Sequence, residues 1–592
     1  MKTDKIIFFL GLFISCFFMS SCEDYLDKTL KADVNPDAIF TTFPTFQGFV
    51  ERLQCDVVDF ANSPRNGTPW NYGDDINNGG YKDLQNGNYW SIVAGSIWTQ
   101  YCYPSNYVRG CAISQNRGIW NNGWGAIRDC NIAIAHFDDL KEATQDEKDV
   151  IKGQVYFLRA YFHWQIMKQW GNIPYSDKAF APTDEMKIPQ LSLYATAEKI
   201  LADFQKSIEF LPVNWDAASY GQATLGINRG RLTKGMVYGY MAEMQLWCGS
   251  PLFNGTMTGD YSYNADYCKK AAASAWKVIE LANQGVYALD PWETYNDNFK
   301  TNNSTEPARS KEIVFKAIFG TTVSTRSHIE SIILPAVGGV GRFFSVTQNA
   351  VEWFEMQQTG LPIEDPASGF VPLDPWSGRD PRFRNSITVD GDRICESRND
   401  ALGFAKLFTG GRDRGSSSSS TGFAMRKHTF TTWNSYDNQW GSNATIAVPA
   451  LRLAEVYLFY AEAANEGYGG PNGKDPSANL TALDAINKVR ARANMPGVNA
   501  KFHNQTGFRD RVWNERAVEL IFEAKRRDDL RRWHVFHLPK YKDMYSCEFP
   551  ENHSSFEKKF VASHFFYEKH YWFPFPQNQV LLYKEWKQNP GW

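Results

Sequence analysis

The residues best placed for chemistry are three glutamates, Glu515, Glu519 and Glu523, spaced four apart so that a helix carries them on one face. Helical carboxylates in that pattern build di-iron centres when a histidine follows a glutamate by three residues. Val518, Phe522 and Arg526 occupy those positions, so the expectation is structural pairing, with Arg516, Arg526, Arg527, Arg531 and Arg532 as partners. His534 and His537 follow with no carboxylate beside them in sequence, and no metal or other cofactor is expected. Asp74 and Asp75 lie in a Gly/Asn-rich stretch, where they could hold a calcium ion or a sugar hydroxyl, or simply be solvated. No GxSxG, Walker loop, GxGxxG or HExxH occurs. Paired carboxylates for glycoside hydrolysis need only spatial proximity, and no motif points to them.

The compositional outlier is aromatic: Trp 20, Tyr 28 and Phe 41 make up 15% of the chain, while mean hydropathy is −0.44. Rings in loops suit a saccharide, whose C–H faces lie on Trp or Tyr while Asn, Asp and Arg reach its hydroxyls. Shielding about 100 Å² of apolar surface per ring gives roughly 2–3 kcal/mol gross. Ordering costs several kcal/mol, so two or three rings yield roughly millimolar to micromolar binding. The stretch best suited is Trp70, Tyr72, Asp74 and Asp75, followed by Tyr81, Trp90 and Trp98. A second contribution is expected from Trp292, Tyr295 and Asn296. The competing account of each ring is loop packing. Trp120 and Trp124 are set aside as structural.

Net charge is −3 and the pI is near 6.4, which excludes nucleic acid as an expected partner. The N-terminus has Lys2 and Lys5, the apolar run Ile6 to Phe18, then Ser20, Ser21 and Cys22. That is a secretory signal, too short to span a bilayer. Its Met19-Ser20-Ser21-Cys22 ending resembles a bacterial lipobox, so residues 1–21 are expected to be removed and Cys22 lipidated, the membrane attachment being lipid alone. The other account is an ordinary signal with a chance cysteine. The remaining cysteines show no CxxC, leaving buried thiols or one or two disulfides.

Helical periods must position these residues. Thr144 to Glu147 fits a capping box ahead of Ile151, Val155, Leu158, Phe162 and Ile166, with Gly171 and Pro174 as stops. Further helices fall over 194–211, 232–247 and 264–284, where Gly235, Gly239 and Ala242 would admit a neighbouring helix closely. A second block starts at Ala450 and ends in one long segment, about 508–533. The pattern predicts stacked helix pairs, a mainly α, TPR-like α-α superhelix over about 118–285 and 449–535. Regions 62–117 and 286–448 are loop-rich, the second a large irregular insertion with short β-strands such as 312–315. A C-terminal tail covers 536–592. The Ser416–Ser420 run is expected to be mobile.

Several motifs occur in family order. They are Gly153 to Phe162 with Trp170 to Pro174, Gly230 to Gly235 running to Asn254, and Arg379-Asp380-Pro381-Arg382-Phe383. Then come Leu451 to Ala463 with Ile486 to Ala493, Glu515 to Trp533, and the terminal Gln588 to Trp592. Together with the lipobox they make the chain resemble the SusD/RagB family of outer-membrane lipoproteins over residues 22–592 as one unit. The resemblance implies a non-catalytic cell-surface protein. It would bind glycan, or peptide as in the RagB branch, and sit as a lid on a SusC-like TonB-dependent transporter. A surface glycan-degrading enzyme is the alternative from another class.

Overall fold

The computed structural model describes residues 36–57, 73–77, 85–87, 89 and 119–592, excepting 182, 185–186, 302–309, 317–329, 331, 343 and 438–444. Trp70, Tyr72, Tyr81, Trp90, Trp98 and the Cys22 signal lie outside them.

The scaffold comprises helices α1 (Phe43–Gln54), α2 (Ile119–Ala135), α3 (Gln145–Trp170), α4 (Leu193–Phe210), α5 (Lys234–Gly249), α6 (Pro251–Thr258) and α7 (Ala265–Asn283). After the insertion, which holds short helices α8 (Gln348–Glu352) and α9 (Pro381–Ser386), come α10 (Leu453–Tyr468), α11 (Ala482–Arg492), α12 (Gln505–Glu519) and α13 (Arg526–Arg532). Thr144 caps α3 in the predicted box, and Gly171 ends it at φ 77°, a conformation that glycine adopts without strain. Packing runs in series from α2 through α3, α4, α5 and α7 to α10, which also contacts α11 and α12. Each helix thus buries its apolar face on its neighbours, as in a stack of helix pairs. Trp120 is buried in this core as expected, beside Trp170.

Two local expectations change. Gly239 admits a strand rather than a helix, because a Cβ there would meet Leu451 Cδ2 at 2.2 Å. Leu451–Arg452 pairs antiparallel with Ile313–Phe315, tying the insertion to the scaffold. The long segment over 508–533 is broken: α12 ends at Glu519 and α13 begins at Arg526, with Phe522 and Ala524 at φ 60° and 63°.

The insertion has its own core. Ile76, Ile332, Phe344, Val346, Phe383, Ile387, Phe423 and Trp433 pack with Val518 near the end of α12 and with Ile521 and Phe522 just beyond it. A four-stranded sheet, in spatial order Ile76–Asn77, Ser345–Val346, Ala424–Met425 and Ile387–Thr388, lies in it. The end of the Ser416–Ser420 run is built in rather than loose, while Ser416 and Ser417 are exposed. Ser418 and Ser419 are buried and donate to Asp413 O (2.8 Å) and Phe423 O (2.7 Å), and the Ser420 amide donates to Ser345 Oγ at 3.0 Å. Composition alone hides the partners of the last three serines.

The tail closes on the scaffold. Asn589 Nδ2 donates to Trp170 O (2.8 Å) and Phe573 O (2.7 Å), and Trp592 Nε1 to Trp572 O at 3.0 Å. Cys55 is disulfide-bonded, while Cys248, Cys268, Cys395 and Cys547 are buried thiols. No helix among the described residues is long and apolar enough to cross a membrane.

Candidate functional site

The three glutamates are spent on the fold. Glu515 accepts from Arg382 Nη1 (2.5 Å) and Arg490 Nη1 (3.0 Å). Glu519 takes Arg382 at 2.8 Å, Arg452 at 2.7 Å and Arg492. Glu523 takes Lys427 at 2.7 Å and two donors of Arg452. Burial works against ionising Glu519, but Arg492, Arg452 and Arg382 outweigh it and hold the carboxyl well below the ordinary range. Pairing is as predicted, yet these partners come from the insertion, from Arg452 just ahead of α10 and from α11, not from the arginines beside the glutamates in sequence. They arrive only when the two cores meet.

A cleft of about 640 Å³ opens where the insertion faces α12 and the tail. Trp353 follows α8; Asp510, Arg511, Trp513 and Asn514 come from α12; Arg526 starts α13. Tyr541, Tyr545 and Lys558 come from the tail, the last two on the paired strands Asp543–Glu548 and Glu557–Ser563. Thr347 caps α8, and Asn349 clamps it to the tail by donating to Asp543 O (2.9 Å) and accepting from the Tyr545 amide (3.0 Å). The walls are held by stacking and charge. Trp513 lies on Trp533 with ring centres 4.3 Å apart and donates to Tyr263 OH at 3.1 Å. Arg526 sits 4.3 Å from the Trp353 ring centre, and Lys558 reaches Glu352 at 2.6 Å. Trp353, Trp513, Tyr541 and Tyr545 are half-buried. Rings interleaved with charged groups can take a ligand that has both apolar faces and hydroxyls.

Asp74 belongs to this cleft in an unforeseen way. It is buried and accepts from Arg526 Nε (2.6 Å) and Nη2 (3.0 Å), fixing the guanidinium over Trp353. Asp75 is also buried, not solvated. Burial, reinforced by the charge of Asp74 and opposed by Arg526, pushes its carboxyl up to about 7.

The Trp292–Asn298 turn is well described. Tyr295 is 1% exposed and stands under Arg492, 4.5 Å from its ring centre, so it presents no face to solvent. Trp292 stacks on it at 5.3 Å and is half-buried. Asn296 exchanges hydrogen bonds with Asn385 (2.9 and 3.0 Å) at the wall of a smaller, 210 Å³ pocket that also holds Lys300, Arg393 and Arg426. The structure therefore does not bring Trp292–Asn296 into the larger cleft.

Sequence reasoning passed over Trp353, Trp513, Tyr541 and Tyr545, which fall in the insertion, in a helix and in the tail. They share no local pattern: Tyr541 lies between two lysines, but Trp513 lies between Val512 and Asn514 and Tyr545 between Met544 and Ser546, so nothing nearby in sequence distinguishes a lining ring from a packed one.

A stack of helix pairs carrying an irregular layer with an aromatic cleft defines a scaffolded binding protein. Comparison with known proteins agrees: residues 280–592 match the SusD family model, and residues 25–226 match a model described as "Starch-binding associating with outer membrane". The chain belongs to the SusD family. It is 23% identical over 558 residues to SusD-like protein P25 of Formosa agariphila, covering 90% of each chain. It is 23% identical over 423 residues to the starch-binding protein SusD of Bacteroides thetaiotaomicron, covering 68% of each. In structure it resembles a SusD-like protein from Bacteroides fragilis, with TM-score 0.69 and 21% identity over 94% of this chain and 98% of that one.

Proposed function

We propose that this chain is a cell-surface, lipid-anchored glycan-binding protein that captures an oligo- or polysaccharide and passes it unaltered to a SusC-like TonB-dependent transporter. The observation that carries the reading is the cleft in which Trp353, Trp513, Tyr541 and Tyr545 meet Arg511, Asn514, Asp510 and Lys558. Stacked rings shield sugar faces, and the polar groups between them exchange hydrogen bonds with hydroxyls. Trp70, Tyr72, Tyr81, Trp90 and Trp98 would extend this surface, and Trp292 would add a separate ring. The relatives' printed functions, starch binding and association with the outer membrane, support the same role. Cys22 would supply the anchor, since two or more acyl chains hold a protein on a membrane where one is marginal.

Native affinity gels with a panel of soluble polysaccharides, followed by calorimetry, test the reading. Retardation by a glycan, without release of reducing ends over hours, is the expected result. Binding confined to a peptide pool would move the reading to peptide capture, and cleavage would replace it with an enzyme.

A further inference from the structure

We infer that His534, His537 and Glu568 form a binding site for a divalent transition ion of the zinc class, at the junction between the end of α13 and the tail. One ligand atom from each lies within 4.8 Å of the other two. Both histidines are half-buried and Glu568 is exposed, so the site opens to solvent. In sequence the pair lacks a carboxylate; the fold brings one from 34 residues further on.

The argument rests on how firmly the donors are aimed. His534 has φ 58°, in the left-handed region that non-glycine residues enter at some energetic expense. Its ring is sandwiched, 3.8 Å from the Tyr261 ring centre and 4.3 Å from that of Tyr571. Nε2 lies 2.7 Å from Glu568 Oε1, so an ion replacing the shared proton needs these atoms to part by about 0.6 Å, to the roughly 3.3 Å between two ligands of a tetrahedral ion, a shift the exposed Glu568 side chain can make. His537 Nδ1 lies 2.6 Å from Tyr571 OH, which leaves Nε2 to the ion once Nδ1 carries the proton. Tyr261 OH donates to Glu568 Oε1 at 3.3 Å. Each of these two donors thus has a tyrosine behind it, the outer support that metal-bound imidazole and carboxylate ordinarily have. Two imidazoles and one carboxylate suit zinc rather than calcium or magnesium, and three protein ligands leave one tetrahedral position for water. A bound ion would pin the tail to the scaffold.

Calorimetric titration of the untagged mature chain with zinc chloride, alongside the cobalt(II) visible spectrum, tests this. One saturable equivalent is expected, with tetrahedral cobalt bands and a zinc-dependent rise in Tm. Glu568→Gln, exposed and harmless to folding, should weaken zinc at least about tenfold, and Tyr261→Phe by roughly ten- to a hundredfold. His534→Asn, a residue that tolerates positive φ, combined with His537→Ala should abolish the equivalent, while His503→Ala should not. No saturable zinc in the parent, or zinc binding unchanged in Glu568→Gln and in the double variant, overturns the inference and leaves a proton-sharing His–Glu pair.

Discussion

Arg452 holds Glu523 by two parallel hydrogen bonds, Nε to Oε2 at 2.7 Å and Nη2 to Oε1 at 2.8 Å, across the break between α12 and α13. The same guanidinium reaches Glu519 and Glu312, each at 2.7 Å. It is the knot between the helical scaffold, the strand at 313–315 and the broken helix.

Arg452→Met leaves three buried carboxylates short of a partner. Removing one member of a buried ion network typically destabilises by about 3–5 kcal/mol. Urea denaturation should show a loss of that size, larger than for Arg398→Met, whose pair with Asp400 is exposed.

Ala524 is held at φ 63° where a side chain is strained. Ala524→Gly should therefore raise stability by up to about 1 kcal/mol, the relief exceeding the added freedom of the unfolded chain. An unchanged or lowered midpoint in urea would refute that balance.

Asp75 sets a pH dependence. Its folded carboxyl titrates at about 7 against an ordinary 3.8, so the native state binds the extra proton between those values. Stability contributed by this group is full below about pH 4 and is lost as pH rises through 7. Asp75→Asn should flatten that slope and gain up to about 4 kcal/mol at pH 8 relative to the parent. Thermal melts from pH 5 to 8 would read it.

Tyr545→Ala and Tyr541→Ala each remove a half-buried ring from the cleft. Each ring contributes about 0.5–1.5 kcal/mol beyond area, so retention on a glycan gel should fall roughly tenfold, with Tm nearly unchanged. The same comparison for Trp70→Ala and Trp98→Ala separates ligand contact from packing. A fall in Tm together with binding would mark the ring as core.

Cys22→Ser should release the protein from membranes once a high-salt wash has stripped any attachment through the transporter, since no other lipid anchor is proposed. Persistence in the membrane pellet after a high-salt wash would point to a different anchor.

Much of the scaffold was legible locally. The Thr144 capping box, the Gly171 stop, the apolar periods of α3, α4, α5 and α7, and the strand at 313–315 all depend on residues within one or two turns of each other. Periodicity reports such neighbours directly. What happens at 520–525 does not, because Phe522 and Ala524 accept positive φ only where distant groups bind the freed carbonyls. Lys427 donates to Glu519 O and Ile521 O, and His428 lies 3.0 Å from Phe522 O.

By itself the chain determined most of the long scaffold helices, where α3 caps and stops, and that a family of helix-pair proteins shares its motifs. Tertiary structure alone decided that Asp74 aims Arg526 at Trp353, that Tyr295 is covered by Arg492, and that Glu568 meets His534. Each of those pairs joins residues far apart in the chain, and sequence spacing carries no information about distances that only the packing of two cores creates.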